Sequence, residues 1–82
     1  MIATPLLRKA RTDELTTSEY ARAVEELRAI TPPHMAMPWE TRMRHGRVAI
    51  IAINGTELGC GDTAEDALAE AYSAVLAELA NA

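Results

Sequence analysis

The chain has 82 residues, 49% hydrophobic and 24% charged, with a formal net charge of −4. That length holds one domain, and that balance is close to an ordinary globular protein and points away from disorder. An acidic chain of this kind is a poor general binder of nucleic acid, although one local basic strip stays open as a contact.

The charge is unevenly placed. Eight basic residues and six acids lie at or before Arg47; the other six acids follow with no base among them. The single cysteine, Cys60, permits no internal disulfide, which suits a reducing cytoplasm. The segment Met1 to Arg11 has the wrong order of charge and apolar core for a secretory signal. The longest apolar stretch, Val48 to Ile53, is far too short to span a membrane. Alanine is abundant and arginine outnumbers lysine seven to one, the bias of a GC-rich genome, which points to a bacterium or phage as source. A domain this short buries about 60–65% of its surface, so self-association would add stability.

In chain order, residues 1–15 form a leader with Pro5 near its start, in which Leu6 and Leu7 make a helical turn packed on the body. Residues 16–82 form one αβββα domain. Thr16 and Glu19 fit a capping box that opens a helix over Thr17 to Ile30. Tyr20, Val24, Leu27 and Ile30 make its apolar stripe, and Pro32 and Pro33 end it. A strand from Trp39 to Met43, a turn at Arg44-His45-Gly46, and a strand from Arg47 to Ile53 follow. Asn54-Gly55 is a strong hairpin signal and leads to a short strand from Thr56 to Cys60 or Gly61. Asp62-Thr63 caps a last helix that runs to Ala80, with a stripe of Leu68, Tyr72, Val75 and Leu79 widened by Ala64, Ala67, Ala71 and Leu76. The expected class is α+β: helix, three-stranded antiparallel meander, helix, with both helices on one face of the sheet.

Alternation of side chains along strands sets which face is buried. A two-residue Asn54-Gly55 turn pairs Ile53 with Thr56, Ile51 with Leu58 and Ala49 with Cys60. A three-residue first turn, Arg44-His45-Gly46, then adds Trp39, Thr41 and Met43 to that same face. This register is preferred because it fills one core and keeps Glu40 and Arg42 away from it. It leaves Val48, Ile50 and Ala52, beside Gly59 and Gly61, on the opposite face. That apolar patch is expected to be covered by the leader or to serve as a homodimer seam or partner groove.

The stretch Val48-Ala49-Ile50-Ile51-Ala52-Ile53-Asn54-Gly55, the Gly59-Cys60-Gly61 strand and the alanine-rich last helix resemble the double-stranded-RNA-binding domain. The resemblance covers Thr17 to Ala80 and implies its helix–meander–helix fold. It also implies RNA contacts from the first helix, the first strand loop and lysines opening the last helix. Only Arg44, His45 and Arg47 match that pattern; the last helix opens instead on Asp62-Thr63-Ala64-Glu65-Asp66, whose acids repel phosphate. Gly61 to Leu68 is also similar to the strand-to-helix junction of HicB-type antitoxins.

The sequence carries no phosphate-binding glycine loop, zinc spacing or nucleophile motif. Cys60, His34 and His45 are the soft metal ligands. Cys60 reads as a small core filler, and both histidines as loop or turn residues, so neither metal nor cofactor is expected. The carboxylate pairs Glu25/Glu26 and Glu65/Asp66 read as solvated helix faces. With 4% aromatic residues, base stacking has little to build on.

Two charged surfaces remain. One is the strip Arg42, Arg44 and Arg47; the other is Glu57 with Asp62, Glu65, Asp66 and Glu70. The leading expectation is a non-enzymatic, cytoplasmic protein-binding module for a partner with a basic surface. A phage or mobile-element inhibitor of a bacterial nucleic-acid-targeting defence complex has that character. The alternatives are a degenerate nucleic-acid-binding domain using the arginine strip, a HicB-like antitoxin fragment, and a structural homodimer built on Val48, Ile50 and Ala52.

Overall fold

The capping box forms as the sequence predicts: Glu19 N–H donates to Thr16 Oγ1 at 3.1 Å, and Thr16 N–H to Glu19 Oε1 at 3.0 Å. These bonds satisfy amide groups that have no intrahelical partner and fix the start of a helix at Thr17. The computed structural model describes residues 4–32, 35, 39–52 and 55–81. Its elements are α1 (Pro5–Ala10), α2 (Thr17–Ile30), β1 (Trp39–Arg44), β2 (Arg47–Ala52), β3 (Glu57–Gly61) and α3 (Ala64–Ala80). The strands form one antiparallel sheet in the order β1-β2-β3, so the class is α+β. Among the described residues no helix is long and apolar enough to cross a membrane.

The register differs from the expected one. Arg44 pairs with Arg47, Met43 with Val48, Thr41 with Ile50 and Trp39 with Ala52. The turn is therefore the two-residue His45-Gly46, with φ of +53° and +75°. Positive φ at both central residues is the turn whose twist matches that of the flanking strands. Trp39, Thr41 and Met43 thus share a face with Val48, Ile50 and Ala52, and Trp39 and Ile51 stand on opposite sides. The expected common face of Trp39 with Ala49, Ile51 and Cys60 is corrected accordingly. The expected member Ile53, and its pairing with Thr56, lie outside the described residues.

The reason is α3. Gly59 pairs with Ile50 and Gly61 with Val48, so both glycines belong to the Ile50 face. A Cβ on Gly59 would overlap Ala67 O and Ala71 N, and one on Gly61 would overlap Asp66 Cβ and Ala67 N. The two glycines are the floor on which the helix backbone rests, not low ground on a free surface. Ile50 is accordingly 3% exposed and Ala52 6%, and Val48 packs on the core. The self-association patch expected at Val48, Ile50 and Ala52 is helix-facing core.

Leu58 reaches that core by a different route. Ile50 pairs with Gly59 but Ile51 pairs with Glu57, so the ladder slips by one residue beside Leu58. The slip replaces the expected Ile51–Leu58 pair and leaves Leu58 in the cluster with Ile50, Leu68 and Ala71. Next to it, Ala52 N–H donates to Thr56 O at 2.8 Å and Gly55 N–H to Ala52 O at 2.8 Å.

The described part of the leader, from Thr4 on, packs on the helices and not across the other side of the sheet. α1 packs on α2 and α3, burying Leu7 and Ala10 fully beside Leu27 and Val75. Burying a leucine contributes about 1.5–3 kcal/mol, enough to hold a six-residue helix that would not form alone. Polar contacts fix its position. Glu26 Oε1 accepts from Leu6 N–H at 3.1 Å and Leu7 N–H at 3.2 Å. Thr4 Oγ1 and Tyr72 Oη lie 3.0 Å apart, the Arg11 guanidinium stands 5.0 Å from the Tyr72 ring centre, and Lys9 Nζ is 2.7 Å from Glu19 Oε2. α3 buries Leu68, Tyr72 and Val75 of the expected stripe together with Ala67 and Ala71, while Leu76 and Leu79 are exposed.

Two predictions follow from this packing. Gly59→Ala should destabilise the fold by about 3 kcal/mol, because the obstruction is helix backbone that cannot rotate away. Gly46→Ala has open space around it and costs only the left-handed backbone, about 1 kcal/mol; urea unfolding of both variants checks the ranking. Glu19, held by Lys9 and the Thr16 amide, has its pKa lowered from 4.5 to about 2. A lowered folded-state value adds stability that is complete above the unfolded value and lost as pH falls through the folded one. Thermal stability should therefore fall as pH drops from about 4.5 to 2, and Glu19→Gln should lose part of that dependence.

Candidate functional site

The outer face of the sheet is now defined by register. It carries Glu40, Arg42 and Arg44 from β1, Arg47, Ala49 and Ile51 from β2, and Glu57 and Cys60 from β3. Cys60, expected in the core, is instead a partly exposed thiol on this face beside Ala49. The face has a small apolar centre of Ala49, Ile51 and Cys60 with charges around it.

The structure splits the expected partner-binding residues into four places. Arg42, Arg44, Arg47 and Glu57 lie on the outer face. Asp66 and Glu70 lie one helical turn apart on α3, along an open groove with Leu58, Ala69, Ser73 and Arg11. Glu65 sits on the other flank of the same helix, beside Leu15, Thr16, Thr17 and Tyr20. Asp62 joins the strand to the helix just before the cap, where Thr63 Oγ1 accepts from Asp66 N–H at 3.1 Å.

Charge pairing separates these groups further. Arg42 Nη2 lies 2.6 Å from Glu40 Oε2, and Arg47 Nε 3.4 Å from Asp62 Oδ1. Such exposed pairs add little stability, but they cancel charge locally. Of the arginine strip only Arg44 has no ion-pair partner among the described residues. Of the acids singled out in sequence, Asp62 is ion-paired, and Glu57, Glu65, Asp66 and Glu70 have no ion-pair partner among the described residues. Asp66 and Glu70 thus line one side of the groove without an ion pair, with Arg11 across it facing the Tyr72 ring.

The other residues singled out in sequence have structural surroundings. His45 is the exposed first residue of the hairpin turn, and His34 lies outside the described residues. Glu25 stands 3.7 Å from Arg28, and Glu26 holds the first amides of α1. Trp39 Nε1–H donates to Met35 O at 3.2 Å, and its ring packs on the core. Among the described residues no group of three or more His, Cys, Asp or Glu side chains is placed to hold a metal ion.

Two features escaped the sequence reading. Arg11 and Leu58 frame the Asp66–Glu70 groove, a meeting of leader, third strand and last helix that no local pattern signals. Met43, expected in the core, is 69% exposed. It lies on the helix-facing side of β1 but next to the turn, across from the partly buried Val48. No protein-family model matches the chain, and no curated protein or solved structure matches it either.

Proposed function

We propose that the chain is a non-enzymatic protein-binding module that meets a basic partner through the Asp66–Glu70 edge of α3. The observation that carries this reading is the asymmetry of pairing. The arginine strip is largely neutralised by Glu40 and Asp62, whereas the acids along the Leu58 groove are not. Unpaired charge beside an apolar floor steers an oppositely charged surface and then excludes water from it. A partner whose surface is basic because it ordinarily holds nucleic acid fits this chemistry. A cytoplasmic inhibitor of a nucleic-acid-targeting defence complex, of phage or mobile-element origin, is the role this reading assigns.

The second reading is nucleic-acid binding through Arg44 with Arg42 and Arg47. The αβββα order favours it, and the internal pairing of two of the three arginines weighs against it.

Affinity capture from the native host with the unaltered chain and with Asp66→Lys/Glu70→Lys separates the two. The charge reversal should weaken the captured complex at least tenfold, about 1.4 kcal/mol, while Arg44→Ala leaves it unchanged. Equal capture by both chains removes the α3 edge from consideration. A gel shift of duplex RNA or DNA that fades as salt rises and is lost in Arg44→Ala would establish the second reading instead.

A further inference from the structure

β1 is an edge strand whose residues from Glu40 to Arg44 are all exposed. An uncovered edge pairs with other strands unless something blocks it. The opposite edge, β3, is interrupted by its bulge beside Leu58, a device that protects edges. β1 has an unbroken ladder to β2.

The phase of the hairpin fixes which backbone groups face outward. A two-residue turn closed by Arg44 and Arg47 makes them a hydrogen-bonded pair, and such pairs alternate along an antiparallel ladder. Arg42 and Glu40 therefore direct their amides and carbonyls to β2, and Met43, Thr41 and Trp39 direct theirs to the free edge. Ala52 agrees with this phase: it is the partner of Trp39, and its N–H turns away from β1 to Thr56 O.

We infer that this edge pairs with the β1 edge of a second copy, antiparallel and centred on Thr41, to form a continuous six-stranded sheet. Directly opposed residues share a face, so the register can be checked for chemistry. Centred on Thr41, Glu40 faces Arg42 of the other copy and Arg42 faces its Glu40. On the helix side Met43 faces Trp39, and Thr41 faces Thr41. Every opposed pair matches in polarity, and the exposed Met43 gains an apolar neighbour. Moving the centre to Arg42 sets Arg42 against Arg42, and moving it to Glu40 sets the two acids together. Centres between residues would put the helices of the two copies on opposite sides of the sheet. Where natural edges carry like charges that repel a second copy, this one alternates Glu40 and Arg42, which already attract each other at 2.6 Å within the strand.

The test is sedimentation equilibrium of the full chain. The unaltered protein should dimerise at concentrations on the order of 10⁻⁴ M, as expected of a small interface. Glu40→Arg and Arg42→Glu alone should each raise the dissociation constant at least tenfold. An equimolar mixture of these two variants, and the double charge swap in one chain, should restore association. Thr41→Pro removes an outward N–H and no bond to β2, so it should stay folded by circular dichroism and be monomeric. Asp66→Lys/Glu70→Lys should dimerise normally, which keeps this result distinct from the α3 docking reading. A protein that is monomeric up to about 10⁻³ M overturns the proposal. So do single reversals that associate as well as the unaltered chain, or a charge swap that folds but does not associate.

Discussion

The close approach of α3 to β3 governs this molecule. Gly59 and Gly61 present bare backbone, and Ala67 and Ala71 of α3 settle on it at a distance that no Cβ would permit. A helix seated that near the strand buries its own small residues completely and brings Leu68, Tyr72 and Val75 into one cluster with Ile50 and Leu58. Because side chains alternate along a strand, choosing the glycine side for the helix assigns every other strand residue to a face.

The consequences extend to charge. With Ile50 committed to the core, Glu40, Arg42, Arg44 and Arg47 must share the outer side, where Arg42 meets Glu40 and Arg47 reaches Asp62. Two of the three arginines clustered in sequence are thereby drawn into local pairs, and Arg44 is not. The acids of α3 divide between the two flanks of the helix, and Asp66 and Glu70 along Leu58 form no ion pair among the described residues. The bulge in β3 has two effects: it turns Leu58 inward to make the floor of that groove, and it disrupts one edge of the sheet while the other stays regular.

The leader completes the core from the helix side. Glu26, a residue of α2, supplies the hydrogen-bond acceptor that the first amides of α1 lack, and Thr4 and Arg11 engage Tyr72 of α3 at its hydroxyl and ring. One short helix is thus tied to both long ones, and the salt link from Lys9 to Glu19 joins its end to the cap of α2.

Local chemistry alone determined the two long helices and their starts. Thr16 with Glu19, and Thr63 with Asp66, satisfy orphan amides within four residues of chain, so those boundaries are legible without knowing what the helices touch. The three strands, and the charge contrast between the two halves, were legible for the same reason. The faces were not. Two turns of similar sequence cost differ by one residue of register, and that residue exchanges core for surface. Reading apolar content favoured the side bearing Ile51 and Cys60; contact with α3 favoured the side bearing two glycines, because what a helix backbone needs beneath it is space. The ion pairs of Arg42 with Glu40 and of Arg47 with Asp62, the burial of Ile50 and the exposure of Met43 all descend from that contact between residues distant in sequence, and only the tertiary structure decided it.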